Sequence, residues 1–232
     1  MVGGTGRLSS EFGIRNSELP PAFPQEPEEK RPCTVGLTGG LATGKSTVAS
    51  LLTAIGIPVF DADAAVHHLY ESGGSGAAVV AQLFGPEMLD AHGRVNRAIL
   101  AERVLGDPAE RGRLEAAIHP MVRRELQEWL KSFNDRPIVV VEAALLIETG
   151  SYREYDLLMV VWCEQHQQIQ RARHRGVPTE RLQGLMAAQL PIAEKMALAD
   201  VLVDNRGDLE GLSAEIDRAW SEICRLCEER IA

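Results

Sequence analysis

Val35-Gly36-Leu37-Thr38-Gly39-Gly40-Leu41-Ala42-Thr43-Gly44-Lys45-Ser46-Thr47 contains the chain's most diagnostic pattern. An apolar run enters this stretch, and Val48, Ala49, Leu51 and Leu52 leave it at helical spacing. Between them, Gly39, four residues and Gly44-Lys45-Ser46 match the phosphate-loop pattern G-x-x-x-x-G-K-[ST] in full. The glycines let the backbone turn its N–H groups inward into an anion nest that side chains would crowd. The helix that follows adds the positive end of its dipole and its unpaired first-turn amides. Lys45 brings a point charge for the β- and γ-phosphates, and the Ser46 hydroxyl suits Mg2+. The stretch predicts strand, loop and helix around a nucleoside triphosphate held by residues 39–47.

Upstream, the first strand is expected from about Cys33 to Leu37. Downstream, the helix should run to about Ala54 and stop at Gly56, with Ile57-Pro58-Val59-Phe60 as the second strand. That strand leads into Asp61-Ala62-Asp63. Two carboxylates at a strand end are expensive to place together unless one is solvated or paired. Either could be a helix N-cap; Asp61 stays open between cap and function, and Asp63 is read as functional. Residues 72–115 are helical and broken by glycines, too long for a plain crossover, and read as a helical insertion that walls an acceptor site. His119-Pro120 should start a long amphipathic helix with Val122, Leu126, Trp129, Leu130 and Phe133 on one face and Pro120 at its first position. On the residues alone His119 is a cap neighbour.

Ile138 to Val141 is a continuous β-branched run of the kind buried on both faces of a parallel sheet. Leu157 to Trp162 gives a fourth strand and Val201 to Val203 a fifth. Arg171, Arg173, Arg175 and Arg181, clustered in an acidic chain, suit either a lid over phosphates or a solvated basic face. Asp208 should cap a last helix whose Leu209, Leu212, Ile216, Trp220 and Ile223 face the core. The order implies a three-layer α/β domain, a five-stranded parallel sheet with helices on both faces.

The bulk properties bound the rest. The chain has 232 residues, 45% hydrophobic and 25% charged, and a net charge of −9, so it can bury a core of one α/β domain. No basic stripe with interleaved aromatics points to nucleic acid, and no apolar run is long enough to span a membrane. The four cysteines, Cys33, Cys163, Cys224 and Cys227, include one lone C-x-x-C without zinc spacing. Cys224 and Cys227 read as two small residues on one helix face, and the low cysteine count suits a reducing cytoplasm. Residues 1–32, rich in Gly, Ser, Pro and Glu, read as a disordered extension with neither a secretion signal nor a transit peptide.

At the carboxyl edge of such a sheet the phosphate loop and Asp63 leave neighbouring strands and face one another. A carboxylate there can orient or deprotonate an attacking hydroxyl while Lys45, Mg2+ and a lid arginine spread the developing charge. Asp204-Asn205-Arg206-Gly207 does not fit the guanine-reading motif of a switch GTPase. Val139 to Glu142 ends in one acid and matches a motor ATPase poorly. A small-molecule or nucleotide kinase is what remains.

Several stretches in this order resemble the dephospho-coenzyme A kinase family. They are Gly36 to Gly40 running into Gly44 to Thr47, then Asp61-Ala62-Asp63, His119-Pro120 and Leu145-Leu146-Ile147-Glu148. Arg171 with Arg175 follow, then Ala188-Gln189-Leu190-Pro191, Ala199-Asp200 and Asp204-Asn205-Arg206-Gly207. The resemblance covers about residue 33 onward. It implies a P-loop NTPase fold and transfer from ATP, with Mg2+, to the ribose 3′-hydroxyl of dephospho-CoA as the last step of coenzyme A synthesis. Asp63 would be the base, Lys45 and the loop amides would hold ATP, and Arg171 with Arg175 would be lid arginines. Thr38, His119, Pro120, Leu145 and Leu146 would border the acceptor. The implied division is a core of residues 33–63, 115–165 and 198–232, an insertion of 64–114 and a lid of 166–197. The expected location is the cytoplasm, and the oligomeric state stays open with a monomer favoured. Two positions depart from the pattern: Ala42 where the family has Gly, and Ala144 where it has Pro. The roles of Glu142 and Glu148 stay open. The rivals are a nucleoside-monophosphate-type kinase and a non-catalytic nucleotide switch.

Overall fold

A computed structural model describes residues 31–133 and 137–231. The expected disordered extension lies outside these residues except for its last two. Arg31 belongs to the folded unit: its guanidinium pairs with Asp156 at 2.6 and 2.7 Å. Burial raises the Asp156 carboxyl, but Arg31 and the Thr34 amide and hydroxyl overcome it and hold the group at about 2.

The first strand, β1 (Cys33–Gly39), is central in a five-stranded sheet. Its order is β2 (Val59–Asp61), β3 (Ile138–Glu142), β1, β4 (Leu157–Trp162), β5 (Val201–Asp204), all parallel. Every residue of β1 and β3, and all of β4 but Trp162, is buried because helices cover both faces. On one face α1 (Lys45–Ala54) and α9 (Leu209–Ile231) pack Val48, Leu52, Ile216 and Ile223 on Leu37, Val140 and Met159. On the other, Leu146, Ile147, Leu158 and Val160 gather Tyr152, Tyr155, Leu190 and Ile192. Gly56, at φ 86°, ends α1: its N–H reaches Thr53 O and that of Ile57 reaches Leu52 O, the double bond of a Schellman cap.

Between β2 and β3 the chain forms α2 (Ala62–Leu69), α3 (Ser75–Phe84), α4 (Arg97–Leu105) and α5 (Pro108–Lys131). Ala77, Val80, Phe84, Met88, Val95 and Leu100 make the insertion's own small core. Between β4 and β5 lie α6 (Gln165–His174), α7 (Thr179–Ala187) and α8 (Ile192–Leu198).

Three expectations need correction. The long helix starts at Pro108, where Asp107 accepts from the amides of Ala109 and Glu110, and Pro120 sits inside it; the drawn boundary at 114/115 therefore falls within α5. Leu209 opens α9 and is 64% exposed, while Leu212, Ile216 and Ile223 are buried and Trp220 is half-buried. Cys227 forms a disulfide with Cys33, Cα atoms 6.0 Å apart, and Cys224 is free. The cysteines thus give no support to a reducing compartment.

Candidate active site

Because all five strands are parallel, their carboxyl ends meet at one edge, where Leu37 and Asp61 both stand beside Glu142 in register. The loop of residues 39–46 leaves β1 there. A Cβ on Gly39 would lie 2.5 Å from Thr43 Oγ1 and 2.6 Å from the Val161 carbonyl, so only glycine fits this approach. Gly44 has φ 98°, and Ala42 reaches the left-handed region at φ 55°.

The loop's outer polar groups are taken up by Thr43 within the loop and by side chains from distant segments. Lys195 Nζ donates to Gly39 O at 3.2 Å, and Thr43 Oγ1 to Gly40 O at 3.0 Å. Asn205 Nδ2 donates to Thr43 O at 2.7 Å, and Gln189 Oε1 accepts from Leu41 N at 2.8 Å. The Arg171 guanidinium bonds the carbonyls of Thr43 (3.4 Å) and Asn205 (2.8 Å), which joins α6 to the loop and to the end of β5. Thr47 N and Val48 N already reach Gly44 O at 3.0 Å, so the amides of Lys45 and Ser46, which by helix geometry have no intrahelical acceptor, form the anion-binding face with the loop.

At the start of α1, Lys45 Nζ lies 2.6 Å from Glu142 Oε1 and 3.6 Å from Asp63 Oδ2. Ser46 Oγ donates to the same Glu142 oxygen at 3.0 Å. Glu142 is buried, and Lys45 and Ser46 are the polar partners that offset its loss of solvent. Asp63, in the first turn of α2, keeps a half-exposed side chain. Asp61 is the cap of α2, its Oδ1 accepting from Ala64 N at 2.8 Å, which resolves the open alternative. Among the described residues no three His, Cys, Asp or Glu form a metal cluster. Ser46 and Glu142 do supply hard oxygen donors that suit Mg2+ bound jointly with phosphates.

Beyond Asp63 opens a groove of about 280 Å³. Its walls are Phe60 and Val66 from β2 and α2, His119, Val122 and Leu126 from α5, and Leu145 and Leu146 after β3. Tyr155, which also lines it, is pushed up to about 12 by burial, then by Glu154, and stays a neutral phenol. Arg123 and Glu154, paired across the groove, add its charged groups. Asp63 therefore touches both compartments, the loop through Lys45 and the groove directly.

The structure brings Lys45, Ser46, Asp63, His119, Leu145 and Leu146 together. It does not bring Thr38 or Pro120 to the groove wall: Thr38 is fully buried and donates to Ala144 O at 3.2 Å, and Pro120 lies exposed on α5. That contact with Ala144 is to its backbone, so the Ala in place of Pro leaves it intact. Arg175 is the exposed C-cap of α6. Sequence reasoning gave no role to Glu142, Asn205, Gln189 or Lys195. Glu142 had a usable signal, the one acid closing an apolar strand.

Residues 33–211 match the family described as dephospho-CoA kinase. A dephospho-CoA kinase of Methylococcus capsulatus is 42% identical over 79% of this chain and 92% of its own. One from Frankia casuarinae is 37% identical over 82% and 83%. Among solved structures, TT1252 from Thermus thermophilus superposes with a TM-score of 0.75 at 34% identity, covering 83% of this chain and 98% of that one.

Proposed function

The chain belongs to the dephospho-CoA kinase family and serves the last step of coenzyme A synthesis; we propose that it does so with Asp63 as the general base. The observation that carries this reading is the position of the Asp63 carboxylate, 3.6 Å from Lys45 Nζ and on the wall of an apolar groove. The ribose 3′-hydroxyl of dephospho-CoA enters from the groove and gives its proton to Asp63. Its oxygen bonds the γ-phosphorus of ATP as the bond from that phosphorus to the β–γ bridging oxygen breaks, and ADP leaves.

The loop amides and Lys45 hold the triphosphate, Lys45 sharing the charge that develops on the transferred group. Ser46 and Glu142 are the residues for Mg2+, which supplies charge neutralisation of the β- and γ-phosphates when bound. Arg171, anchored on the carbonyls of Thr43 and Asn205, brings the positive charge of α6 to the loop. His119, Leu145 and Leu146 contact the acceptor, the insertion of α2 to α5 forms its wall, and residues 166–197 act as the lid. No described helix is long and apolar enough to cross a membrane. Both substrates are small molecules, and a cytoplasmic monomer is the form in which we read the enzyme as acting on them.

An ADP-release assay over dephospho-CoA, AMP, CMP, adenosine and shikimate tests the acceptor. Turnover above the ATPase background is expected only with dephospho-CoA. Asp63→Asn should lower kcat by about 10²- to 10⁴-fold with ATP binding changed little. Loss of ATP binding instead would assign Asp63 to the metal and overturn its role as base.

A further inference from the structure

Lys195, on α8, is wholly buried, with no exposed side-chain surface. Its ammonium lies 2.7 Å from Glu148 Oε1 and donates to two backbone carbonyls, Gly39 at 3.2 Å and Ala144 at 3.5 Å. Glu148 Oε1 also accepts from Leu190 N at 3.0 Å, while its Oε2 is buried without a partner among the described residues. An ion pair of this kind is a poor source of stability: desolvating both charges offsets their attraction, and apolar replacement of both partners is often neutral or better. The contacts explain its presence better than energy does.

Those contacts join three segments. Gly39 is the first residue of the phosphate-loop motif. Ala144 and Glu148 flank Leu145 and Leu146, which wall the groove. Leu190 and Lys195 lie where the chain returns from α7 to α8, and the neighbouring Gln189 holds Leu41 N of the same phosphate loop. Thr38 adds a bond to Ala144 from the β1 side. We propose that Lys195, Glu148 and Gln189 are positioning residues that lock the phosphate loop and the Ala144–Glu148 segment to the end of the lid, where the chain passes from α7 into α8. When α6 and α7 move over bound nucleotide, this joint keeps the donor phosphate and the acceptor wall in register. A rate that depends on near-attack geometry is sensitive to displacements of about 1 Å, so loosening the joint acts on turnover before it acts on ATP binding.

The inference rests on the kinase reading above, and the test separates the two. In the double variant Lys195→Met with Glu148→Leu both charges are removed together, and its melting temperature is read beside its activity because the Gly39 carbonyl and the Leu190 amide lose their partners. Its kcat on dephospho-CoA should fall at least 10-fold with KM for ATP within about threefold. A folded double variant with unaltered kcat overturns the proposal and leaves the pair a structural feature. Gln189→Leu, at a partly exposed position, covers the case of a double variant that does not fold. A fall in kcat of at least fivefold at unchanged melting temperature supports the joint, and an unchanged kcat overturns it. Should the unaltered protein fail to turn over dephospho-CoA, the acceptor assignment falls and hydrogen exchange decides on the joint. A non-hydrolysable ATP analogue should then protect residues 177–190 in the unaltered protein and not in Gln189→Leu; equal protection in both overturns the proposal.

Discussion

At the scale of single residues, Ala42 holds a backbone conformation better suited to glycine. Its φ of 55° lies in the left-handed region, which costs a residue with a Cβ about 1–2 kcal/mol and glycine almost nothing. Ala42→Gly should therefore relieve strain, less the extra freedom that glycine gives the unfolded chain, for a net gain of about 0.5–1 kcal/mol. Urea unfolding of the two proteins measures it, and a loss of stability would mean that the loop depends on the methyl group. KM for ATP should stay the same, because the anion nest is made of backbone amides that the substitution leaves in place. The residues legible from the sequence were those whose chemistry demands a fixed local spacing. Gly39, Gly44, Lys45 and Ser46 belong to one pattern, and Asp63 follows a strand end. Glu142, Gln189 and Lys195 reach the same loop from 96 to 156 residues away, so no local spacing records them. Thr38 was misplaced because proximity in sequence to the loop says nothing about which side of the strand it faces; it faces Ala144 and is wholly buried.

At the scale of elements, the strands were readable because burial on both faces demands continuous apolar runs, and β1, β3 and β4 begin within a residue of their expected starts. The start of α5 was not, because Asp107-Pro108 and His119-Pro120 both offer a proline at a plausible first turn. The first prevailed: Asp107 supplies the capping oxygen that His119 cannot supply in the same way. Pro120 then sits inside a 24-residue helix and leaves the Ala116 carbonyl without its usual donor. Pro120→Ala should restore that bond and stabilise the fold by about 2 kcal/mol, the interior proline penalty less the freedom gained by the unfolded chain. Thermal unfolding checks the gain. Since His119 and Val122 flank the position and line the groove, KM for dephospho-CoA should rise while KM for ATP holds. Unchanged stability would show that the surrounding packing already satisfies that turn.

At the scale of the whole molecule, the Cys33–Cys227 bond closes 194 residues, joining the first strand to the last turns of the last helix. Neither the cysteine count nor the C-x-x-C spacing could reveal it, because the pairing depends on α9 crossing the sheet beside the start of β1. In the chain-entropy account a loop of this length restricts the unfolded state by about 5 kcal/mol. Both cysteines are buried, so a reductant reaches the bond chiefly through opened molecules. The bond also enters β1 at the end opposite the site: six residues of strand, about 20 Å, separate Cys33 from Gly39. Stability and chemistry should thus come apart. Cys227→Ser should lower the unfolding free energy by about 3–5 kcal/mol without reductant, and leave kcat at 25 °C unaltered. Complete reduction of the parent protein should give the same loss, and reductant should do nothing further to Cys227→Ser. Cys224→Ser serves as the control, since Cys224 lies one turn from Cys227 and could otherwise form a substitute bridge. Equal unfolding midpoints for the oxidised and reduced parent would show that the bond adds nothing to a core that already holds β1 and α9 together. A fall in kcat with the bond removed would mean that strain at the amino end of β1 reaches the phosphate loop.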